Sequence, residues 1–249
     1  MPPVNEYDDD FSASIYDDCN PWSASDAFYL QLARDIGGPV LDVGCGTGML
    51  ACRIAAEGLS VVGVDPAEAM LAVARSRPGS ERVTWVCSDG QSMRLPQRFD
   101  LAYMTGHAFQ SLLTDIEIVA LLKNVADHLG RDGRFVFETR NPAGMPWLTW
   151  TPEQSKLVVQ TRQYGPIEQF YDAAADTTIG MVDLVEHSRI LDSGEERIGT
   201  GRLRFVSADR LAALIAQSGL TPLEWYGGWD GGPFLPTSEE IIVVTDRAA

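Results

Sequence analysis

Between Val40 and Arg140 the chain alternates short apolar runs with helix-length amphipathic segments. "PVLDVG" reads as a strand and "TGMLACRIAAEG" as a helix closed by Gly58. "SVVGVD" and "PAEAMLAVARSR" repeat the pattern, with Pro66 early in the second helix and Pro78-Gly79 ending it. "RVTWVCSD" and "FDLAYMTG" follow as strands, then "DIEIVALLKNVADHLG" as a helix closed by Gly130 and "GRFVFETR" as a strand. These strands are continuous apolar runs, as strands covered on both faces are. Parallel neighbours need a crossover of a dozen residues or more, which such helices supply. The rhythm predicts an α/β fold: a doubly wound, mostly parallel sheet with helices on both faces.

The flanks read differently. Residues 1 to about 20 are acidic and expected to start loosely ordered. "SASDAFYLQLARDI" predicts a helix capped by Ser23 or Ser25, with Phe28, Leu32 and Ile36 on its apolar face. After Arg140 comes a Pro- and Trp-rich loop, "NPAGMPWLTWTPEQ". Residues 156 to 206 then carry β-type pieces separated by Gly- and Asp-rich turns, which predict an inserted antiparallel β lobe. "SADRLAALIAQSG" is a helix with Ser207 as cap. "LTPLEWYGG" and "EEIIVVTDR" supply two last strands, bringing the main sheet to seven.

Charge and cysteine usage narrow the function classes. The formal net charge is −16, and Lys123 and Lys156 are the only lysines. Such a surface repels nucleic acid and anionic membranes. Cys19, Cys45, Cys52 and Cys87 form no C-x-x-C pair and no metal pattern with His107, His128 and His187, so free thiols in a reducing compartment are expected. The N-terminus carries no basic-then-apolar leader, and no apolar run reaches the length of a membrane span. The expected location is cytoplasmic.

The first strand runs into a glycine loop, "VLDVGCGTGML", Val40 to Leu50. A phosphate-cradling loop would end in Gly-Lys-Ser or Gly-Lys-Thr, but Met49 follows Gly48. The dinucleotide fingerprint G-x-G-x-x-G would need its third glycine at Met49; here it falls at Gly48. What remains is an acid, Asp42, followed by Gly44, Gly46 and Gly48 at the end of a strand. This pattern resembles the first motif of class I S-adenosylmethionine-dependent methyltransferases. The resemblance spans about residues 35 to 140 by motif, and implies a Rossmann-like methyltransferase fold.

The ligand's chemistry agrees with the residues. S-adenosylmethionine carries an amino acid head, a sulfonium, a ribose and an adenine, and no phosphate. Glycines let the backbone approach where a Cβ would clash, which gives Gly44, Cys45, Gly46 and Gly48 contact with the cofactor. Amides at a helix start can meet the carboxylate end, and Asp42 can meet the ammonium directly or through water. A carboxylate about 20 residues past the first glycine should take both ribose hydroxyls; Asp65, followed by Pro66, stands there, and a helix cap is the lesser alternative for it. Ser88, Asp89 and Gly90 close the third strand near the expected adenine. The resemblance implies that Asp89 reads the exocyclic amine and that Met70, otherwise a core residue, packs on the ring.

Thr105, Gly106 and His107 end the fourth strand, at the expected switch point. This stretch and "RFVFETRNP" resemble bacterial small-molecule methyltransferases; the common Pro-Gly-Gly turn of that family is here "GRDG", Gly130 to Gly133. His107 is the candidate base, because imidazole titrates near neutrality. His128 and His187 read as structural. Glu138, Arg140 and Asn141 follow the fifth strand, and Arg140 is a candidate carboxylate anchor. Trp147, Trp150, Trp229 and Phe234 are loop aromatics that either form an apolar lid or plug the join between sheet and lobe. The candidate substrate contacts are His107, Arg140, Asn141, Trp147 and Trp229. The N-terminal segment "ASIYDDCNPW" resembles the family's lid, which implies that Tyr16 reaches the cofactor.

The organisation is thus an N-terminal lid and helix (1–36), a cofactor-binding core (37–140), an inserted substrate lobe (141–206), and a C-terminal helix with the last two strands (207–249). The expected reaction is in-line methyl transfer to a nitrogen or oxygen of a small-molecule acceptor, with no metal required, no nucleic acid or membrane as partner, and the chain acting as monomer or homodimer. Methylation of a protein or RNA, and non-catalytic binding of S-adenosylmethionine, are the alternatives.

Overall fold

The computed structural model describes residues 4–5 and 9–248. The strands are β1 (Val4–Asn5), β2 (Val40–Val43), β3 (Val61–Asp65), β4 (Val83–Cys87), β5 (Phe99–Met104), β6 (Leu129–Arg140), β7 (Leu157–Thr161), β8 (Gly165–Asp176), β9 (Met181–Ile190), β10 (Glu196–Arg204), β11 (Leu220–Tyr226) and β12 (Glu240–Arg247). The helices are α1 (Asp10–Cys19), α2 (Ala24–Ile36), α3 (Met49–Ala56), α4 (Glu68–Ser76), α5 (Asp115–His128) and α6 (Ala208–Ile215).

The main sheet has seven strands in the order β11-β12-β6-β5-β2-β3-β4. The pairs among β2 to β6 are parallel, and β12 and β11 close one edge antiparallel. The chain winds outward from β2 through β3 to β4, then returns to β5 on the other side of β2. That reversal is the switch point where open α/β sheets hold ligands. The sheet buries a core on each face. One joins Leu121, Leu122 and Val125 of α5 to Leu211 and Leu214 of α6; the other joins Tyr29 and Leu30 of α2 to Leu50 and Ile54 of α3.

A second sheet, β1-β10-β9-β8-β7, stands apart. Its four long strands pair antiparallel, and β1 adds two residues parallel to β10. The seven-stranded α/β sheet with an antiparallel β lobe is the architecture the sequence rhythm implies.

The loose start expected of the acidic segment falls largely on residues 1–3 and 6–8, which lie outside the described residues. From residue 10 the segment forms α1: Asp9 accepts from the Phe11 and Ser12 amides, and Phe11, Ala13 and Ile15 are buried. Two other local readings change. The buried face of α2 is Tyr29, Leu30 and Ala33, while Phe28, Leu32 and Ile36 are half-buried. Gly130 does not close α5. The helix ends at His128 and β6 begins at Leu129, with a register shift against β5 that accommodates "GRDG". A Cβ on Gly133 would lie 2.5 Å from the Phe99 carbonyl oxygen, so the bulge needs glycine there.

Candidate active site

The loop after β2 places Gly44, Gly46 and Gly48 at φ of 76°, 52° and 74°. Side chains avoid this left-handed region, which explains glycine at alternate positions. The Gly44 and Cys45 amides donate to the Val64 carbonyl at 2.8 and 3.1 Å, folding the loop over the end of β3. There the buried Asp65 carboxylate accepts from the Gly46 amide and the Ala67 amide, each at 2.8 Å. Asp65 therefore both steadies the glycine loop and supports the start of α4, and its carboxylate is held rigidly.

A cavity of about 720 Å³ opens above these groups. Gly44, Gly46, Asp65, Pro66 and Met70 line one side. Asp89 and Gly90 line the end of β4; the Asp89 carboxylate is fixed by the Ser92 amide at 2.7 Å and hydroxyl at 2.8 Å. Thr105 and His107 line the far wall, and Tyr16 of α1 and Leu203 of β10 cover it. A Cβ on Gly106 would come within 3.8 Å of the Tyr16 hydroxyl, so that phenol stands at the switch point.

The remaining expected cofactor residues, Asp42, Cys45, Gly48 and Ser88, lie outside the lining of this cavity. A Cβ on Gly48 would strike the Trp85 ring at 2.4 Å, so this glycine makes room for an indole. Cys45 is buried against Gly63, and Ser88 donates its hydroxyl to the Asp89 carbonyl. Asp42 lies beneath the loop and outside the cavity lining, 2% exposed. Its Oδ2 accepts the Tyr103 hydroxyl at 2.8 Å, and its buried Oδ1 has no hydrogen-bond partner among the described residues. Burial pushes its carboxyl up to about 8, with the Asp65 and Asp26 charges acting the same way against the Tyr103 bond.

A smaller chamber of about 210 Å³ adjoins the first, and both are lined by Tyr16, Gly106, His107 and Leu203. Ser12, Ile15 and Cys19 of α1 close one side of this chamber, and Gln169, Tyr171 and Glu186 of the lobe another. Burial beside Glu186 and Asp18 raises the Cys19 thiol to about 11, which leaves it a weak donor, bonded to Gln169. Arg140 enters at the end of β6, donating to Gln110 Oε1 at 2.8 Å, with its guanidinium 5.3 Å from the Trp150 ring centre. Helix α1 is tied to both halves: Asp17 accepts the Thr47 hydroxyl and pairs with Arg77, while Asp18 accepts from the Arg162 amide and guanidinium.

His107 sits between the two cavities with φ of 58°, a conformation that costs a non-glycine residue about 1–3 kcal/mol. Two carboxylates from the neighbouring strands β6 and β12 hold it. Glu138 of β6, fully buried, accepts the His107 amide at 2.9 Å and the Tyr29 hydroxyl on its other oxygen. Glu240 of β12 places both oxygens 3.0 Å from His107 Nε2. Burial raises the Glu138 carboxyl, with its hydrogen bonds pulling the other way.

Three expected substrate contacts stand elsewhere. Asn141 is buried and donates to the Pro236 and Ser238 carbonyls, pinning one loop to another. Trp147 packs edge-on against Phe205, outside both cavities. Trp229 packs against Phe28 and Tyr29 on the far face of the sheet. Glu240, Glu186, Tyr171 and Gln110 carried no motif in the sequence; their place follows from strand pairing over long separations.

Fold and site together have the form of a class I S-adenosylmethionine-dependent methyltransferase. Residues 40–133 match a family model described as "Methyltransferase domain". The cypemycin N-terminal methyltransferase of a Streptomyces species is 26% identical over 211 residues, covering 85% of this chain and 84% of the relative. The CcbJ methyltransferase from Streptomyces caelestis has the same fold, with a TM-score of 0.79 at 22% identity over 98% of this chain and 99% of that one. An amino pentose methyltransferase from Micromonospora echinaspora, solved with S-adenosylmethionine bound, superposes with a TM-score of 0.67 at 23% identity, over 92% and 93% of the two chains.

Proposed function

We propose that the larger cavity holds S-adenosylmethionine and the smaller chamber an acceptor of low molecular weight, methylated at nitrogen or oxygen. The observation that carries this reading is the meeting of the two cavities at Tyr16, Gly106 and His107. The cofactor supplies, when bound, a methyl group made electrophilic by the adjoining sulfonium. The larger volume lies within the roughly 300–1,000 Å³ of small-ligand sites. Bare glycines at Gly44 and Gly46 leave room for the amino acid head, the Asp65 carboxylate suits paired ribose hydroxyls, and Asp89 with Met70 suits the adenine. Asp42 lies beneath the loop and outside this cavity, so it meets the amino acid head only through the loop or a water.

The chain's own work is then positioning and exclusion of water, worth up to about 7–11 kcal/mol of barrier where geometry is favourable. Helix α1 and the β lobe close over the chamber, whose volume of about 210 Å³ suits a small molecule rather than a folded polymer. A nitrogen acceptor is favoured by the relative named as an N-terminal methyltransferase. His107 takes the acceptor proton, and Arg140 anchors an acceptor carboxylate. The net charge of −16 supports a small acceptor over RNA. No helix among the described residues is long and apolar enough to cross a membrane.

Radiolabelled S-adenosylmethionine presented with a panel of amines, amino sugars, amino acids and phenols, and separately with short peptides and RNA, tests the reading. Label transfer to a panel member, reduced by His107→Ala with cofactor affinity kept, supports it. Transfer to RNA or folded protein alone overturns it.

A further inference from the structure

We propose that Glu240 is the positioning residue that fixes the tautomer of His107, so that Nδ1 is the atom that receives the acceptor proton. This rests on the reading of His107 as the base. A carboxylate only accepts hydrogen bonds. With both Glu240 oxygens 3.0 Å from His107 Nε2, the ring proton of the neutral imidazole must reside on Nε2. The lone pair is then on Nδ1, which makes no hydrogen bond to any described residue, while the side chain lines both cavities.

The arrangement is built by the fold rather than by local sequence. Glu240 opens β12 directly opposite Arg140 of β6, one strand removed from β5, where the His107 turn begins. The His107 and Glu240 side chains are 21% and 14% exposed, so their contact is shielded from bulk water. Glu138, anchored by Tyr29, holds the His107 main chain in its left-handed conformation. One carboxylate thus sets the backbone and a second sets the ring. The other ionisable groups around the imidazole are Tyr16 of α1, Arg140 of β6, Tyr171 of β8 and Glu186 of β9, all on the chamber wall. Nε2 meets both Glu240 oxygens at hydrogen-bond distance, so Glu240 chooses the tautomer.

In the proton transfer, the acceptor N–H or O–H bond breaks and its electron pair stays on the acceptor. The proton joins Nδ1. The resulting imidazolium donates from Nε2 to Glu240, whose charge offsets it, and the proton later passes to water. A neutral amide at position 240 can instead offer its NH₂ to Nε2 and pull the ring proton to Nδ1, where it blocks the base.

The test is nitrogen NMR on the full chain labelled at histidine, without cofactor, at alkaline pH where neutral rings are populated. His107→Ala identifies the His107 signals among the three histidines. The expected result is the Nε2–H tautomer in the native protein and a shift toward Nδ1–H in Glu240→Gln. A native Nδ1–H tautomer, or a Glu240→Gln spectrum unchanged from native, overturns the proposal. With an acceptor from the labelled panel, Glu240→Gln should lower kcat by about 10²–10⁴-fold. Affinity for S-adenosylhomocysteine should stay within twofold, and Glu240→Asp should recover part of the rate. If His107→Ala keeps full turnover, the base reading fails while the tautomer result stands. If His107→Ala is slow and Glu240→Gln is not, only the role of Glu240 fails.

Discussion

Asp42 gives the sharpest stability prediction. It is buried beneath the glycine loop, one oxygen on Tyr103 and the other without a partner among the described residues, and its carboxyl is pushed up to about 8, mainly by burial. In the unfolded chain an aspartate titrates near 4, at about 3.9. Between these values the folded protein keeps a proton that the unfolded chain has released. Raising the pH through this window therefore favours unfolding, by about 1.4 kcal/mol per pH unit. Below it both states are protonated and the effect vanishes; above it both are ionised and the full penalty is reached. Taken from 3.8 to about 8, the upper bound is about 6 kcal/mol.

Asp42→Asn removes this slope. The amide keeps an acceptor for Tyr103 and adds an offset that does not vary with pH. From pH 5 to pH 8 the native protein should lose about 4 kcal/mol relative to Asp42→Asn, about 10 °C of melting temperature for a chain of this size. Thermal melts of both proteins across that range measure the difference directly. Glu138 also carries a raised carboxyl, but it is present in both proteins and cancels. Parallel curves of Tm against pH would refute the account of Asp42 as a buried, protonated group.

Tyr29→Phe should destabilise the protein by about 1.5–3 kcal/mol, because it strips a donor from the fully buried Glu138. A melting temperature within 1 °C of native would show that the Tyr29–Glu138 bond contributes nothing. Gly48→Ala and Gly46→Ala should separate the two uses of glycine in one loop. At Gly48 the new methyl meets Trp85, and overpacking of this kind costs about 1–3 kcal/mol, seen as a lower Tm. At Gly46 the space is open and the residue lines the cavity, so S-adenosylhomocysteine affinity should fall with a smaller loss of Tm. The reverse pattern would invert the assignment.

What was legible in the sequence was local. The strands of the parallel sheet announce themselves as apolar runs, and the register of Asp42, Gly44, Gly46, Gly48, Asp65 and Asp89 follows from the strand ends they occupy. What was hidden depends on contacts far apart in the chain. Helix α1 is acidic and short, and it is stabilised by burying Phe11 and Ile15 against Ile167 and Ile190 of the lobe. The aromatics mislead because a tryptophan in a loop has the same sequence signature whether it faces a ligand or packs: Trp150 lines the chamber, whereas Trp147 and Trp229 fill joins. Glu138 reaches His107 through the β5–β6 pairing, and Glu240 because β12 pairs with β6 over a separation of about a hundred residues.

The central claim is that Asp65 and the glycine loop hold the adenosyl cofactor. Isothermal titration of the native chain and of Asp65→Ala with S-adenosylhomocysteine tests it most directly, with thermal melts to confirm that the variant is folded. The native chain should bind one equivalent. Asp65→Ala should bind at least about 100-fold more weakly, since two hydroxyl–carboxylate bonds at about 1.5–3 kcal/mol each are lost. A folded Asp65→Ala variant with native affinity, or a native chain that does not bind, would contradict the account.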